Sequence, residues 1–423
     1  MAKNAATVWE IRTTGSNTNG GGFANLSPGV SVDYSQQDTP ILTRADFQKG
    51  TGTNDITTAA GVACFTQAMI GNIIWITPTT IIYFYQITAV SGDLKTITVD
   101  VVVPSFTGKT GNVGGAYKFG GTSDQQFFSS SGVASGNTVY VQVGTYTLIA
   151  GYSPHASASV TYIGYNAIRN DNPTGANRPV INCATYSVVF SGSLYAYNLI
   201  FTGTASIVIT FSVDSGVYNC KFVNTYLAGT DRVALSMSPG VTVRLVFCEV
   251  SSLRGIGISN IFSSSLIVQS CYFHDGNCGI RAGGMLIVND CIFSNHSIVG
   301  AVAPIGINVS GSYEARISGC IFYAATTGIQ NTSVLNKDCV IVNNIFDACG
   351  TGISWYSGGD PLKNYMNYNC YHCSVADTVN ITKGPNDITA DPLFVDPANA
   401  DFRYNLGSPC FNTGMQVDSI VGL

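Results

Sequence analysis

One short phrase recurs along the chain from Leu266 to Ile353, and this repeat limits the possible folds more than any other feature. Each copy has a central Cys or Asn, an aromatic ring two residues later, and a Val or Ile three residues earlier. Including two weaker early copies, the centres are Cys220, Cys248, Cys271, Cys291, Cys320 and Asn344. They are separated by 28, 23, 20, 29 and 24 residues. A period of this length with insertions is typical of a solenoid.

The apolar residues within each copy alternate, which is the period of a strand and not of a helix. One copy is too short to enclose a core, so it must stack on its neighbours. We therefore predict an all-β fold, a parallel β-helix made of three-stranded coils, and the general rule for parallel crossovers makes it right-handed. A leucine-rich-repeat solenoid is the alternative, but its spaced leucines and helical segments are absent from the sequence.

Composition excludes two classes of partner. Charged residues are 10% of the chain and the net charge is -5, whereas about a quarter of an average globular protein is charged. Phosphate binding needs clustered Lys and Arg, so we predict no nucleic-acid partner. The most apolar stretch, from Ile73 to Val90, is interrupted by the polar and proline residues 77–80, so we predict no membrane insertion.

The sequence also bears on where the protein is made. The N-terminal residues contain no apolar core of signal-peptide length, so we expect synthesis in a cytoplasm without export. In that compartment the 13 cysteines are expected to remain thiols, with a disulfide framework as the alternative. Six of them fit the central position of the repeat and would form an inward ladder: Cys220, Cys248, Cys271, Cys291, Cys320 and Cys370.

The repeat does not cover the whole chain. Residues 1–122 lack it and contain strand-like runs at 71–76, 81–90 and 95–103, which predict a small β domain that caps the solenoid. We predict the parallel β-helix over residues 123–385 and a C-terminal cap over residues 386–423.

Three stretches resemble pectate-lyase-like right-handed β-helix proteins. Residues 127–147, FFSSSGVASGNTVYVQVGTYT, are similar to the opening coils of that family, and residues 161–182 are similar to the segment before its regular coils. Residues 391–414, DPLFVDPANADFRYNLGSPCFNTG, resemble a closing segment of many β-helix surface proteins. The resemblance implies the fold and permits many functions.

The N-terminal segment has a narrower resemblance. TVWEIRTTGSNTNGGGF at 7–23, VDYSQQDTP at 32–40 and TGKTGNVGGAYKFGG at 107–121 look like the N-terminal module of β-helix proteins encoded by tailed bacteriophages. This resemblance implies a virion surface protein that is a homotrimer. It would attach to other capsid or tail proteins through its N-terminal domain and face a host surface glycan. The absence of a signal peptide agrees with this location.

Equal positions in consecutive coils stack about 4.8 Å apart, which selects one candidate pair of catalytic acids. Glu314 and Asp338 both lie six residues before a repeat centre, and Arg316 lies on the same outward strip. Their separation would suit a retaining glycosidase, whose two carboxyl groups are about 5–5.5 Å apart. The alternative is a pair of surface acids that are partly neutralised by Arg316 and Lys337.

A second candidate group surrounds His274. Asp275 and Arg281 follow it, and Asp290 and His296 lie one coil later. Acid, base and cation would meet where a coil turns, which could support proton transfer. The alternative is that these residues satisfy backbone groups in turns.

Metal and cofactor sites are not predicted. Cys370 and Cys373 have the spacing of half a zinc site, but no second half follows except Cys410, so packing in the terminal coil is expected. The acidic residues of the tail are interpreted as turn formers, with a bound cation as the alternative: Asp387, Asp391, Asp396 and Asp401. Several tyrosines could form a sugar-binding platform. The main alternative is that they occupy core or subunit-interface positions. They are Tyr152, Tyr162, Tyr165, Tyr195, Tyr197, Tyr356, Tyr365, Tyr368 and Tyr371.

Together these observations predict a structural virion surface protein, a trimeric β-helix tailspike that contacts the host surface. A capsid decoration protein that stabilises the head is one alternative. A polysaccharide lyase or glycoside hydrolase is another, for which the candidate residues are Glu314, Asp338, Arg316, His274 and Asp275.

Overall fold

The computed structural model describes residues 4–77, 81–121, 124–127, 132–151, 159–226, 232–253, 255–260, 263–294, 304–311, 313–333, 338–357 and 364–411. The chain divides into two compact units. Unit 1 comprises Met1–Asn182 and Val188–Leu199, and unit 2 comprises Cys183–Ser187 and Ile200–Leu423. The helices within the described ranges are single short turns: Asp124–Phe127, Gln67–Met69, Gly175–Asn177 and Pro397–Asn399. No helix in those ranges is long and apolar enough to cross a membrane.

Unit 1 contains a closed antiparallel barrel. Its strands, in the order in which they pair, are Leu42–Lys49, Asp55–Thr58, Thr96–Val99, Tyr83–Val90, Ile73–Ile76 and Lys109–Val113. The inward residues form a separate hydrophobic core that includes Phe47, Ile74 and Tyr85. Strands are present in each of the three runs that the sequence indicates. Closure leaves this sheet without free edges, so the barrel is a self-contained module.

The rest of unit 1 contains a mainly parallel sheet, in which Gly22–Phe23 pairs antiparallel with Val8–Ser16. Its strands in this unit are Gly22–Phe23, Val8–Ser16, Thr138–Gln142, Val160–Tyr165 and Leu194–Tyr197. Val8–Ser16 pairs in parallel with Thr138–Gln142. The first strand of the chain therefore belongs to this sheet, although the sequence analysis assigned it to a separate domain. The barrel lies between the two strands in sequence, so no local pattern shows that they pair. Unit 1 also contains Thr145–Thr147 paired with Val180–Asn182, and the strand Val188–Phe190.

Unit 2 is a parallel β-helix with three sheets, which we number by their order within a coil. The first sheet contains Ser215–Tyr218, Thr242–Val246, Ser265–Gln269, Met285–Asn289, Ala315–Ser318, Cys339–Val342 and Asn364–Asn367. The second contains Ile200–Gly203, Lys221–Asn224, Glu249–Ser252, Tyr272–His274, Ile292–Ser294, Ile321–Tyr323, Ile345–Asp347, Cys370–His372 and Ile388–Thr389. The third contains Ile207–Phe211, Val233–Met237, Ile256–Asn260, Cys278–Ala282, Ile305–Val309, Thr327–Asn331, Thr351–Ser354 and Ala376–Val379.

Aromatic rings form a continuous ladder inside the coils. Phe273, Phe293, Phe322 and Phe346 stack with centroids 4.7, 4.9 and 5.0 Å apart. The glycines of the recurring Gly-Ile pair lie against these rings. A Cβ atom at Gly306, for example, would lie 2.6 Å from Cδ1 of Phe322. The repeat therefore needs Gly because the ring of the next coil occupies the space of a side chain.

A second inward ladder runs through the repeat centres. The backbone N–H of Cys248 donates to the Sγ atom of Cys271 at 3.3 Å, and the N–H of Cys320 donates to Oδ1 of Asn344 at 3.0 Å. Asn344 N–H donates to Asn369 Oδ1 at 3.0 Å. Each side chain thus accepts a backbone hydrogen bond from the preceding coil, and the cysteines that do so remain thiols.

The assignment of Cys370 to this ladder is wrong. Asn369 occupies the ladder position, and Cys370 pairs in register with Ile345 one residue further along. In a strand a shift by one residue reverses the face on which a side chain lies. Cys370 therefore faces away from the coil interior.

The residue before each ladder position adopts a left-handed conformation, which turns the chain sharply from the first sheet to the second. In unit 2 these residues are Asn219, Phe247, Ser270, Asp290, Gly319, Asn343 and Tyr368. The turn is therefore built in the same way in every coil.

The C-terminal segment packs on the outward face of the second sheet. Ile292, Ile321, Ile345 and Cys370 lie in one stacked row of that face. They are buried by the segment that contains the antiparallel strands Phe394–Asp396 and Asp401–Tyr404, through Phe394, Phe402 and Cys410. The segment therefore covers the side of the last coils as a cap.

Candidate functional site

The outward face of the first sheet in unit 2 carries two stacked rows of side chains, which we call the first-sheet face. The first row contains Arg244, Ile267, Ile287, Arg316, Val340 and Tyr365. The second row contains Val246, Gln269, Asn289, Ser318, Val342 and Asn367. Residues of opposite parity, such as Leu266 and Val268, are buried inside the coil, so the two rows point outward.

The exposed members of this face include an aromatic ring and a guanidinium group. Tyr365 is 56% exposed, and the side chain of Arg316 is 61% exposed. In the second row the hydroxyl of Ser318 donates to the amide oxygen of Asn289 at 2.7 Å. Apolar and aromatic surface beside amides and hydroxyls suits a sugar, which has apolar ring faces and polar edges.

Glu314 and Asp338 lie at one end of the first-sheet face. The strands that follow them pair Ala315 with Cys339, so the two acids occupy equivalent positions in adjacent coils, as their equal offset in the repeat predicts. Glu314 accepts a hydrogen bond from Arg316 at 2.6 Å, and its side chain is 39% exposed. Asp338 is also exposed. The arrangement of Glu314 with Arg316 matches the alternative of a neutralised surface acid.

A second group of polar residues lies on the outward face of the second sheet, and we call it the acid–histidine cluster. It consists of Lys221, Glu249, His274 and Asp275. Oε1 of Glu249 lies 2.6 Å from Nζ of Lys221 and 2.9 Å from Nε2 of His274. Nδ1 of His274 lies 2.9 Å from Oδ2 of Asp275. The His274 side chain is 19% exposed and that of Glu249 is 12% exposed.

The contacts within the cluster shift the pKa values of Glu249 and His274. Burial alone would raise the pKa of Glu249, but hydrogen bonds from His274 and Lys221 lower the pKa to about 2. Burial alone would lower the pKa of His274, but the hydrogen bond with Glu249 and the charge of Asp275 raise the pKa above its ordinary value. Charges of both signs are thus paired, and the imidazole lies between the two carboxylates.

The structure separates the other residues that the sequence grouped with His274. Arg281 belongs to the strand Cys278–Ala282 of the third sheet. Asp290 lies in the turn before the second sheet, where burial raises its pKa. His296 lies outside the described residues. Glu249 and Lys221 are not among the candidates selected from the sequence. Glu249 contacts His274, and Lys221 is paired with Glu249.

A third group combines two carboxylates and an imidazole at the start of the cap. Ligand atoms of Asp347, His372 and Asp391 all lie within 4.8 Å of one another. We call these residues the cap cluster. Of the motif from Cys370 to Cys373, only His372 takes part. Cys370 is buried in the apolar core under the cap.

Unit 1 contains a buried ion-pair network whose residues are not among the candidates selected from the sequence. Glu10 is fully buried, and its carboxylate lies 2.9 Å from Nε of Arg12 and 2.7 Å from Nη2 of Arg169. The Tyr165 hydroxyl also donates to Glu10, and Arg169 contacts Asp33. Arg169 follows Tyr165 in the chain and pairs with Glu10. The network therefore connects the strand Val8–Ser16 to the segment after Tyr165.

The candidate tyrosines divide into exposed and buried residues. The exposed ones are Tyr195, Tyr356, Tyr365 and Tyr368. The buried ones are Tyr162, Tyr165 and Tyr371, and Tyr197 is half-buried. Tyr152 lies outside the described residues.

Comparisons with known proteins support the fold. Residues 233–391 match a family model described as "Right handed beta helix region". The chain folds as a right-handed parallel β-helix. Among solved structures it is similar to pectate lyase Pel9A, with 13% identity and a TM-score of 0.52 over 73% of this chain and 88% of that chain. At this identity the likeness shows the fold alone.

Two other solved structures are more distant. The pectin methylesterase from Aspergillus niger has 15% identity and a TM-score of 0.30 over 66% of this chain and 87% of that one. The α-1,3-glucanase from Streptomyces thermodiastaticus has 11% identity and a TM-score of 0.34 over 75% of this chain and 83% of that one. No curated protein matches the sequence significantly.

Proposed function

We propose that this protein is a structural surface protein of a tailed-phage virion, and that its β-helix contacts polysaccharide on the host surface. The observation that carries the proposed contact is the first-sheet face. Its two rows run along the stacking direction of the coils. A linear polysaccharide laid in that direction would meet an apolar or cationic side chain and a polar side chain at each of several consecutive coils.

The N-terminal segments support the virion location through their resemblance to phage β-helix proteins. The closed barrel from Leu42 to Val113 also supports it, because a module with its own core and no free sheet edge can attach to a particle without changing the solenoid. On this proposal the N-terminal domain binds other virion proteins, and the chain assembles as a homotrimer on the virion surface.

Location on the particle separates a spike from a capsid decoration protein. Native particles labelled at the N-terminus of this chain can be imaged by electron microscopy. A spike predicts labelled density at the tail in a few copies. Density repeated over the head would identify a capsid decoration protein and not a spike. Particles without labelled density would exclude both functions.

A polysaccharide-cleaving enzyme is the second candidate, and the acid–histidine cluster is the observation that favours it. A protonated imidazole between two carboxylates could move a proton. However, His274 fills the space between Glu249 and Asp275, so a sugar cannot lie between those two carboxylates as it does in glycosidases. If the protein cleaves polysaccharide, we therefore expect the imidazole of His274 to transfer the proton.

Chromatography of host polysaccharide after incubation with the protein tests this candidate. The proposed binding role predicts an unchanged size distribution. Release of short fragments by the wild-type protein, together with its loss in a His274→Gln variant, would establish the enzyme. Release that is lost only in Glu314→Gln or Asp338→Asn would locate cleavage at the pair selected from the sequence.

A further inference from the structure

The cap cluster brings together donor atoms from two adjacent strands of the second sheet and from the segment that follows the next strand. Asp347 and His372 are paired in register on adjacent strands. The next strand, Ile388–Thr389, pairs with Cys370 and Tyr371, and Asp391 follows it by two residues. Residues far apart in sequence therefore converge at the point where the chain leaves the coils and begins the cap.

The charges in this cluster are poorly balanced. The side chain of Asp347 is only 10% exposed, and its Oδ1 atom lies 2.7 Å from Nδ1 of His372. Among the ion pairs of the described residues, neither carboxylate is matched with Lys or Arg. A divalent cation would compensate both carboxylates at once.

We propose that Asp347, His372 and Asp391 bind a divalent transition-metal ion such as Zn²⁺. Each residue offers one ligand atom, and all of these atoms lie within 4.8 Å of one another. Donors in a tetrahedral zinc shell lie roughly 3.4 Å apart, with bonds of about 2.0–2.2 Å, so small side-chain rotations bring the three onto one ion. The imidazole favours zinc over Ca²⁺, which takes oxygen ligands.

Such an ion would join the coils to the cap. Asp391 begins the segment whose Phe394 and Phe402 cover the apolar row of the second sheet. Metal binding to the folded state stabilises that state by mass action. The site is independent of polysaccharide binding. From the sequence, Asp391 is a turn former with cation binding as the alternative, and the motif from Cys370 to Cys373 is expected to pack in the terminal coil. No sequence pattern shows that the cap folds back onto the coils, so the proximity of Asp391 to His372 could not be predicted.

Titration of the full-length, chelator-treated protein with Co²⁺ tests the site, because the visible spectrum of Co²⁺ distinguishes nitrogen and oxygen donors from thiolates. The wild-type protein should bind one ion per chain without a thiolate charge-transfer band. His372→Gln and Asp391→Asn change exposed residues. Each should weaken binding by at least about 10–100-fold, because loss of a ligand costs no less than loss of an outer-shell partner. Asp401→Asn removes a carboxylate that is paired with Arg403 elsewhere in the cap, and it should bind as the wild type does.

Thermal melting with Zn²⁺ and with chelator gives a second readout. Zn²⁺ should raise the melting temperature of the wild-type protein and of Asp401→Asn, and it should not raise that of His372→Gln or Asp391→Asn. Circular dichroism shows whether each variant is folded. Equal Co²⁺ affinity in the wild type and in folded His372→Gln and Asp391→Asn would overturn the proposal. A thiolate band would also overturn it, because it would place the ion at cysteines.

Discussion

Nε2 of His274 lies 2.9 Å from Oε1 of Glu249, although the two residues occupy different positions of the repeat. Glu249 directly follows its repeat centre, Cys248, whereas His274 is the third residue after Cys271. The strand register pairs Glu249 with Tyr272 and Ser251 with His274. The ion pair is thus a diagonal contact between neighbouring strands.

This pair predicts a pH window for stability. The pKa of Glu249 is lowered from 4.5 to about 2, so its contribution is present above pH 4.5 and is lost as the pH falls toward 2. The pKa of His274 is raised from 6.5, so its contribution is present below pH 6.5 and is lost as the pH rises through the raised pKa.

The stabilising effect of His274 should therefore be greatest between pH 4.5 and pH 6.5. The free energy of unfolding of the wild type should exceed that of His274→Gln by about 1–3 kcal/mol in this range. The difference should shrink on both sides, as measured by urea denaturation across pH. A difference that stays constant from pH 4.5 to alkaline pH would contradict this account.

The close contact of Gly306 predicts a steric defect on substitution. In Gly306→Ala the new methyl group would lie 2.6 Å from Phe322 Cδ1 and 2.6 Å from the carbonyl oxygen of Gly328. The strain should lower the free energy of unfolding by about 1–3 kcal/mol. Gly92→Ala is the control, because a Cβ atom there meets nothing within 4 Å. An equal effect of the two substitutions on the urea midpoint would refute the prediction.

The ladder of repeat centres predicts which side chains can replace Asn344. Asn344 accepts the N–H of Cys320 at 3.0 Å and donates to the carbonyl oxygen of Ile317 at 3.1 Å. Asn344→Leu leaves both buried groups without these partners and should cost about 1–3 kcal/mol.

Asn344→Cys should be tolerated better, because Sγ of Cys291 accepts the N–H of Cys271 in the same ladder. Urea denaturation of both variants checks the order. If Asn344→Cys is destabilised as much as Asn344→Leu, the hydrogen-bonding role of the ladder is wrong.

The buried network in unit 1 predicts a large effect for one carboxylate. Glu10→Ala leaves Arg12 and Arg169 without their shared partner and should cost about 3–5 kcal/mol. Asp46→Ala removes the carboxylate of a more exposed pair with Arg44 and should leave the unfolding midpoint nearly unchanged. Similar midpoints for the two variants would show that the network contributes little.

The sequence predicts the fold well because a solenoid repeats its core in every coil. The aromatic ladder and the Gly-Ile pairs are visible as fixed offsets, and the equivalence of Glu314 and Asp338 follows from the same count. The His274 pair with Glu249 has unequal offsets, so comparison of equal positions could not find it. It is a diagonal contact that only the strand register reveals.

Other features depend on long-range folding that no local pattern records. Cys370 follows Asn369, and either residue could be counted as the repeat centre. Asn369 is the repeat centre, because the apolar residues of the cap bury Cys370 on the outward face of the second sheet. Asp391 joins the cap cluster for the same reason. In unit 1 the barrel separates Val8–Ser16 from its partner strand by more than a hundred residues.

The most direct test of the account is binding of the purified protein to capsular polysaccharide and lipopolysaccharide extracted from the bacterium on which the particles grow. Tyr365→Ala and Arg316→Ala change exposed members of the first-sheet face and should each weaken binding by about tenfold. Tyr356→Ala removes a tyrosine that is 39% exposed elsewhere, and it should bind as the wild type does. Wild-type binding that Tyr365→Ala and Arg316→Ala leave unchanged, or no binding at all, would contradict the assignment of this face to polysaccharide.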